Sequence, residues 1–426
     1  MIRQLAVPPF DRLDPFLPKP GVTDAATRAR VTEILEDVAA RRDAAVRHWT
    51  RKLDEVDLPP AQWELPRHQW EAALERIDIE LREALETAVH RVREYHKRQR
   101  DNGFTLLEED GSILGMRVTP LDRVGLYVPG GKAAYPSSVI MNAVPAVVAG
   151  VEEIIAVTPP AGVTDAVLAA CWLAGVTRIY QIGGAQAIGA LAFGTETIGR
   201  VDKIVGPGNK WVAEAKRQVA GPVGIDMVAG PTELLIIADS TAIPERVAAD
   251  MVAQAEHDED ATAWLVTTDL ALADLVPAAI EKHLHKNPRR EVALASLVRN
   301  GLIVWAPTVQ DAVTVANLRA PEHLEIITRD PEGDAAGVRH AGAIFLGDES
   351  PEPVGDYIAG PSHVLPTGGT ARHASPLGVY DFVRRTSMIR YTRDRLNNDA
   401  ARIIALAEAE GLYGHAEAIR VRVGSY

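Results

Sequence analysis

From Asp24 to about Arg100, apolar residues recur at three- and four-residue spacings among charged ones, as in VTEILEDVAARRDAAVRHW and IDIELREALETAVHRVREYH. This is the pattern of amphipathic helices, and it breaks near Leu58-Pro59-Pro60. After Gly103 the period changes. The short β-branched runs EEIIAV, RIYQI, DKIV, ELLIIAD, AWLVTTD, GLIVWA, LEIIT and AGAIFLG alternate with helix-length stretches such as TDAVLAACWLA, NKWVAEAKRQV, IPERVAADMVAQAEH and TVQDAVTVANL. Strands separated by helical crossovers predict mostly parallel sheets covered on both faces, and so many strands suggest two α/β layers, not one. From about His373 the chain turns helical again in ALAEAEGL and in a second short helix ending near Arg420, a segment too small to fold alone. No fixed-period repeat or low-complexity linker separates these regions.

Composition narrows the class. The 426 residues, 47% of them hydrophobic, fit a globular chain of about two to four domains. Lys plus Arg number 45 against 58 for Asp plus Glu, and the net charge of -13 has the wrong sign for a protein that gains affinity by neutralising phosphates. The charges along the N-terminal helices therefore read as a solvated surface. The opening MIRQLAVPPFDRLDPFLPKP has no apolar h-region, and the run Val139 to Val151, with Asn142 and Pro145 inside it, is too short to cross a bilayer, so a cytoplasmic protein is expected, with no membrane or nucleic-acid partner. The single cysteine, Cys171, excludes a multi-thiolate metal site. It lies on the apolar helix face VLAACWLAG and reads as core packing.

Candidate chemistry is scattered. Gly-rich turns cluster in the first α/β layer at Val128-Pro129-Gly130-Gly131, Ile182-Gly183-Gly184-Ala185-Gln186 and Gly206-Pro207-Gly208-Asn209. Such turns after strands let backbone N–H groups approach a phosphate at the carboxyl edge of a parallel sheet, and three in one layer favour a nucleotide. A strict G-x-G-x-x-G is absent, and Gly131-Lys132 does not make a P-loop. Gln254 and His257, three apart near a helix end, project from one face and can meet one ion, although a His at a helix C-terminus is also favoured by the macrodipole. Glu322 and His323 adjoin just before a strand. They point in different directions and can serve two neighbouring proton transfers, or they form a salt-bridged surface turn. Asp356 and His363 flank Gly360-Pro361 in a polar loop of the kind that carries function. Glu410 and His415 bracket Gly411 and Gly414 in the tail and alone read as a helix end.

Taken in order, the segments VGLYVPGGKAAYPSSVIMNAVPAVVAGV, IGGAQAIGALAFGT, KIVGPGNKWVAEAK, AGPTELLIIAD, QAEHDEDA, APEHLE, GDYIAGPSHVLPTGGTAR and AEAEGLYGHAEAI resemble the histidinol dehydrogenase family. They run from about Val124 to Ile419. The resemblance implies a zinc-dependent, NAD-linked four-electron oxidation of L-histidinol to L-histidine through L-histidinal, the last step of histidine biosynthesis, by a homodimer. It implies zinc ligands Gln254, His257 and Asp356, with His415 from the other subunit. Glu322 and His323 would be the acid/base pair. Thr232, His363 and Glu410 would join these ligands and His323 in contacting substrate, and Tyr127, Gln186 and Asn209 would line the NAD site. A neutral imidazole suits removal of a hydroxyl proton near pH 7, and a carboxylate such as Glu322 can activate the water that adds to an aldehyde. Zinc with N and O ligands would chiefly position substrate. Thr232 stands where the family more often has Ser, Ser362 where Asn is usual, and SPLGVYDF where SGLSVxDF is more frequent.

The expected architecture is α/β: two incomplete Rossmann-like domains with mostly parallel sheets, at 121–231 and 232–372. A helical N-terminal region, 1–120, packs with the second α/β body, and a helical tail, 373–426, is exchanged across the dimer. Two alternatives stand beside this reading. One is a related zinc- and NAD-dependent dehydrogenase of another amino or sulfonated polyol. The other is a non-catalytic two-lobed binding protein, which would need neither Glu322 beside His323 nor a polar ligand in the tail.

Overall fold

The computed structural model describes residues 2–18, 24–130 and 135–423. In chain order these form β1 (Arg3–Ala6), α1 (Ala25–Arg41), α2 (Asp43–Leu53), α3 (Arg67–Arg76), α4 (Ile79–Lys97), β2 (Phe104–Leu107), β3 (Ile113–Pro120) and β4 (Arg123–Tyr127). Then come α5 (Pro136–Ala149), β5 (Glu153–Val157), α6 (Asp165–Ala174), β6 (Arg178–Tyr180), α7 (Gly184–Phe193), β7 (Lys203–Val205), α8 (Lys210–Val219) and β8 (Gly224–Ile225). The next stretch holds β9 (Glu233–Ala238), α9 (Pro244–Ala255), β10 (Thr262–Thr267), α10 (Leu270–Lys286), α11 (Arg290–Asn300), β11 (Leu302–Trp305), α12 (Val309–Arg319) and β12 (His323–Ile327). The chain closes with α13 (Pro331–Ala335), β13 (Ala343–Leu346), α14 (Glu352–Tyr357), β14 (Val383–Arg390), α15 (Arg393–Ala409) and α16 (Tyr413–Val423).

The chain divides into two units. The first, Met1–Gln99 with Leu121–Phe382, contains two wholly parallel sheets. The first sheet has the order β6-β5-β4-β7-β8 and the second β1-β11-β10-β9-β12-β13. Every apolar run read as a strand from sequence is one. Because side chains alternate along a strand, Leu234, Ile236 and Ala238 of β9 enter the core shared with α9, α10 and α11, while Leu235 and Ile237 enter the core shared with α12. Both faces are dry, which is why these strands read as unbroken apolar runs. Cys171 is fully buried in α6 within the first sheet's core. No helix among the described residues is long and apolar enough to cross a membrane.

The N-terminal region departs from expectation. Helices α1 to α4 cover the first sheet, not the second: Leu85, Ala88 and Val92 of α4 share a core with Val124 and Leu126 of β4, and Val31, Leu35 and Val38 of α1 share one with Ile188 and Leu191 of α7. The segment before α1 goes to the second sheet, where Arg3 to Ala6 pair with Leu302 to Trp305 and Val7 and Leu13 enter its core. A boundary at 372/373 does not match the packing either, since Val364, Leu377, Val379 and Phe382 all lie in the first sheet's core. Within α5, Pro145 cannot donate to the carbonyl of Met141 one turn back. That oxygen accepts the Ser362 hydroxyl at 3.2 Å instead.

The second unit comprises Arg100–Pro120 and Val383–Tyr426. It holds a three-stranded antiparallel sheet, β14-β3-β2, and the hairpin of α15 and α16. Gly411, at φ +72°, turns the chain between these helices, with Leu412 N–H donating to Ala407 O at 2.8 Å, and Arg420 pairs with Glu408 across the hairpin. Glu410 and His415 belong to this unit, either side of that turn.

Candidate active site

In the first unit a cleft of about 610 Å³ is lined by residues of both parallel sheets. The first sheet contributes its carboxyl edge. The strand order reverses between β4 and β7, the switch point at which open α/β sheets bind ligands. Tyr127 ends β4 and Gly206 follows β7, and both line the cleft. Gly206 has φ +108°, and a Cβ there would collide with the carbonyl oxygen of Tyr127, so the turn demands glycine. A buried ion pair clamps that turn: Asp226 accepts from Gly206 N–H at 2.8 Å, Lys216 donates to Gly206 O at 2.8 Å, and the two side chains pair with each other. Asn209 caps α8, accepting from the N–H groups of Trp211 at 3.1 Å and Val212 at 3.2 Å, and it too faces the cleft. The Tyr127 hydroxyl accepts from Gly184 N–H at 3.2 Å, and burial pushes its pKa up to about 12. Gln186 is not among the side chains lining the cleft. It is fully buried in α7 and donates to Asp54 at 3.2 Å. Gly131 and Lys132 lie outside the described residues.

The second sheet contributes its amino edge, the opposite of the first. Glu233 begins β9 and His323 begins β12, adjacent strands on either side of that sheet's own order reversal. Glu322 Oε2 accepts from the Thr232 hydroxyl at 2.7 Å and from Glu233 N–H at 2.9 Å. Thr232 Oγ1 in turn accepts from Gln254 Nε2 at 2.8 Å. Burial pushes Glu322 up to about 8 against those two hydrogen bonds, so its carboxyl is poised to give or take a proton near neutrality. His323 Nδ1 lies 3.0 Å from Glu233 O, and its Nε2 is buried without a hydrogen-bond partner. Burial drives the ring down to about 4 and keeps it neutral.

Beyond His323 Nε2 stand Glu352 Oε1 and Asp356 Oδ1, each at 3.9 Å, and His363 Nδ1 lies 3.6 Å from Asp356 Oδ1. His257, Glu352 and Asp356 each offer a ligand atom within 4.8 Å of the others. The His257 Nδ1 faces the carbonyl oxygens of Ala253 and Gln254, at 3.1 and 3.3 Å, which leaves Nε2 for a ligand. Burial works against charge on Asp356, but the hydrogen bond and charge of His363, with the rings of His323 and His257, hold its carboxyl down at about 2. Burial and then the charge of Asp356 push Glu352 up to about 10. The donor set suits a zinc-type ion: imidazole and carboxylate without thiolate, together with Gln254 Oε1, a buried acceptor that has no partner. Ser362, bonded to Met141 O, also accepts from Val364 N–H at 3.2 Å and so fixes the backbone on both sides of His363.

Thr232, Gln254, His257, Glu322, His323, Asp356 and His363, chosen from sequence, thus come together in one unit, while Glu410 and His415 lie in the other. Sequence reasoning passed over Glu352. Its spacing to Asp356 in EPVGDY, four residues in a short helix, puts both carboxylates on one face and was a legible signal. It also passed over Glu233 and Arg319, a buried pair at 3.0 Å, for which no local signal exists.

The family model for histidinol dehydrogenase matches residues 17–423. Histidinol dehydrogenase of Dechloromonas aromatica is 50% identical over 99% of this chain and 99% of the relative, and that of Bacillus subtilis is 50% identical over 94% of each. The crystal structure of histidinol dehydrogenase from Elizabethkingia anophelis superposes with a TM-score of 0.93 at 34% identity, covering 99% of this chain and 98% of that one. The chain belongs to the histidinol dehydrogenase family of oxidoreductases.

Proposed function

We propose that the chain catalyses the closing oxidation of histidine biosynthesis in the cytoplasm, L-histidinol to L-histidine through L-histidinal, reducing two NAD. Family membership supports the reaction class. The observation that carries the mechanism is the neutral His323, whose bare Nε2 faces the carboxylates of Glu352 and Asp356 in the cleft that the Gly206 turn also lines. Zinc held by Gln254, His257, Asp356 and the partner subunit's His415 would orient the substrate's imidazole and amino nitrogens. NAD, bound against Tyr127 and Asn209 with Gln186 behind the Gly184 turn, would accept the hydride in each step.

The chain's own residues handle the protons. In the first oxidation His323 Nε2 takes the hydroxyl proton as hydride leaves the carbon, giving the aldehyde. In the second, Glu322 takes a proton from the water that adds to the aldehyde carbon while His323 returns its proton to the aldehyde oxygen, giving the hydrate, and the neutral His323 then takes a hydroxyl proton of that hydrate as the second hydride leaves. Thr232 fixes Glu322 by its 2.7 Å hydrogen bond and presents its oxygen to substrate. His363 and Glu410 contact substrate, Glu410 across the homodimer, with the tail at 373–426 exchanged so that each site draws on both chains.

The test is the number of NADH formed per L-histidinol consumed, with and without a chelator. Two equivalents, lost on chelation and restored by zinc, are expected. One equivalent would assign the chain instead to dehydrogenases of another amino or sulfonated polyol.

A further inference from the structure

We infer that Glu233 and Arg319 form a buried frame that positions the Glu322–His323 pair for proton transfer. The inference rests on the reading of that pair given above. Glu233 reaches both members through its backbone: its N–H donates to Glu322 Oε2 at 2.9 Å, and its carbonyl accepts from His323 Nδ1 at 3.0 Å. A displacement of this one peptide position would therefore move the carboxylate and rotate the ring together.

The side chain of Glu233 braces that position at the end of the β9 ladder. Its Oε1 accepts from the Arg319 guanidinium at 3.0 Å and from Gly368 N–H at 3.0 Å. Both side chains are only 7% exposed, and the guanidinium lies 5.1 Å from the ring centroid of Trp264. Arg319 ends α12, and Ala320, in the left-handed region at φ +49°, turns the chain straight into Pro321 and Glu322. Gly368 lies on the loop that carries His363. One carboxylate thus ties together the start of β9, the segment entering β12 and the loop after α14.

A buried ion pair is a poor source of stability, because desolvating two charges offsets most of their attraction. Behind reacting groups such a pair can serve orientation, as the outer carboxylate partners of metal-binding histidines do. Fixing Nδ1–H on the Glu233 carbonyl keeps the lone pair on Nε2, where the proposed hydroxyl proton must go.

The experiment uses the zinc-loaded enzyme and three variants: Glu233→Gln, Arg319→Met, and the two combined, which removes both charges. The frame requires Glu233→Gln to lower kcat about 10–100-fold with KM for L-histidinol and NAD unmoved. It also requires histidine-selective ¹⁵N spectra to show loss of the single His323 tautomer. The double variant should recover the melting temperature lost by either single one without recovering kcat, and it carries the test if a single variant fails to fold. Unchanged kcat in folded Glu233→Gln, or kcat returning with the melting temperature in the double variant, would overturn the inference. If the wild type forms no NADH from L-histidinol, the functional reading fails, and the frame is judged on the tautomer alone: its loss in Glu233→Gln sustains the frame, and its retention refutes it.

Discussion

The ring of His323 meets the main-chain oxygen of Glu233 at 3.0 Å through Nδ1, and that contact decides which nitrogen is free for chemistry. A carbonyl oxygen only accepts, so the ring proton sits on Nδ1 and the lone pair on Nε2. Burial holds the ring's pKa near 4, so protonation blocks Nε2 only as pH falls to about that value. Glu322, raised to about 8 by burial, must lose its proton before it can accept one, so a step using it as base gains rate as pH rises through about 8. NADH formation from L-histidinal should climb with pH through that range, while single-turnover oxidation of L-histidinol stays level from about 8 down to about 5. Superimposable profiles for the two substrates would contradict the assignment.

The division of labour makes a second claim. Glu322→Gln keeps the shape and should lower oxidation of L-histidinal by about 10²–10⁴-fold, with a smaller loss on L-histidinol. Equal losses, with each substrate supplied separately, would count against it.

Mixing inactive Gln254→Ala and His415→Ala chains should regenerate sites in which every ligand is present, if each site draws on both subunits. Zinc content and NADH formation in purified heterodimers measure this. Heterodimers with no recovery would sink the exchanged tail.

Cys171 is fully buried in the first sheet's core, and burial pushes its thiol pKa far up. Cys171→Ser should leave turnover intact and cost about 1–3 kcal/mol of stability, since a hydroxyl there lacks a partner. Denaturant melts with parallel kinetics check both halves of the claim.

Ile236, wholly buried on β9, is a cleaner probe of the core that carries the site. Ile236→Ala should destabilise the chain by about 2–5 kcal/mol, visible as a lower denaturation midpoint. Unchanged stability would mean that this strand does not hold the core together.

Legibility from sequence followed the range of the forces involved. The strands buried on both faces were plain because dryness on both sides forbids polar residues, as in ELLIIA. The antiparallel sheet of the second unit was not read. Its long strand, VRRTSMIR, is exposed along most of its length and carries three arginines, so its pattern has no apolar run to announce it. The destination of α1 to α4 was misread because an amphipathic face states that it needs a partner without naming one. At the site, Gln254 with His257 and Glu322 with His323 were visible because their partners lie within three residues. Glu233 acts on groups about ninety positions away, and Arg319 matters only through Glu233. Such roles exist in the fold and nowhere in the local string.

Pro145, finally, reaches further than its helix. By leaving the Met141 carbonyl open to Ser362, it pins the loop after α14 to α5, and Val364 and Leu377 sink into the same core. His363 is therefore held next to the first sheet's core, whereas Asp356, seven residues earlier, stands on α14, which is tied to β12 of the second sheet by the Glu352 N–H donating to Glu325 at 2.7 Å. Their 3.6 Å contact joins a loop anchored in one sheet's core to a helix anchored on the other, so the carboxylate and the imidazole that face the cleft are positioned by different layers.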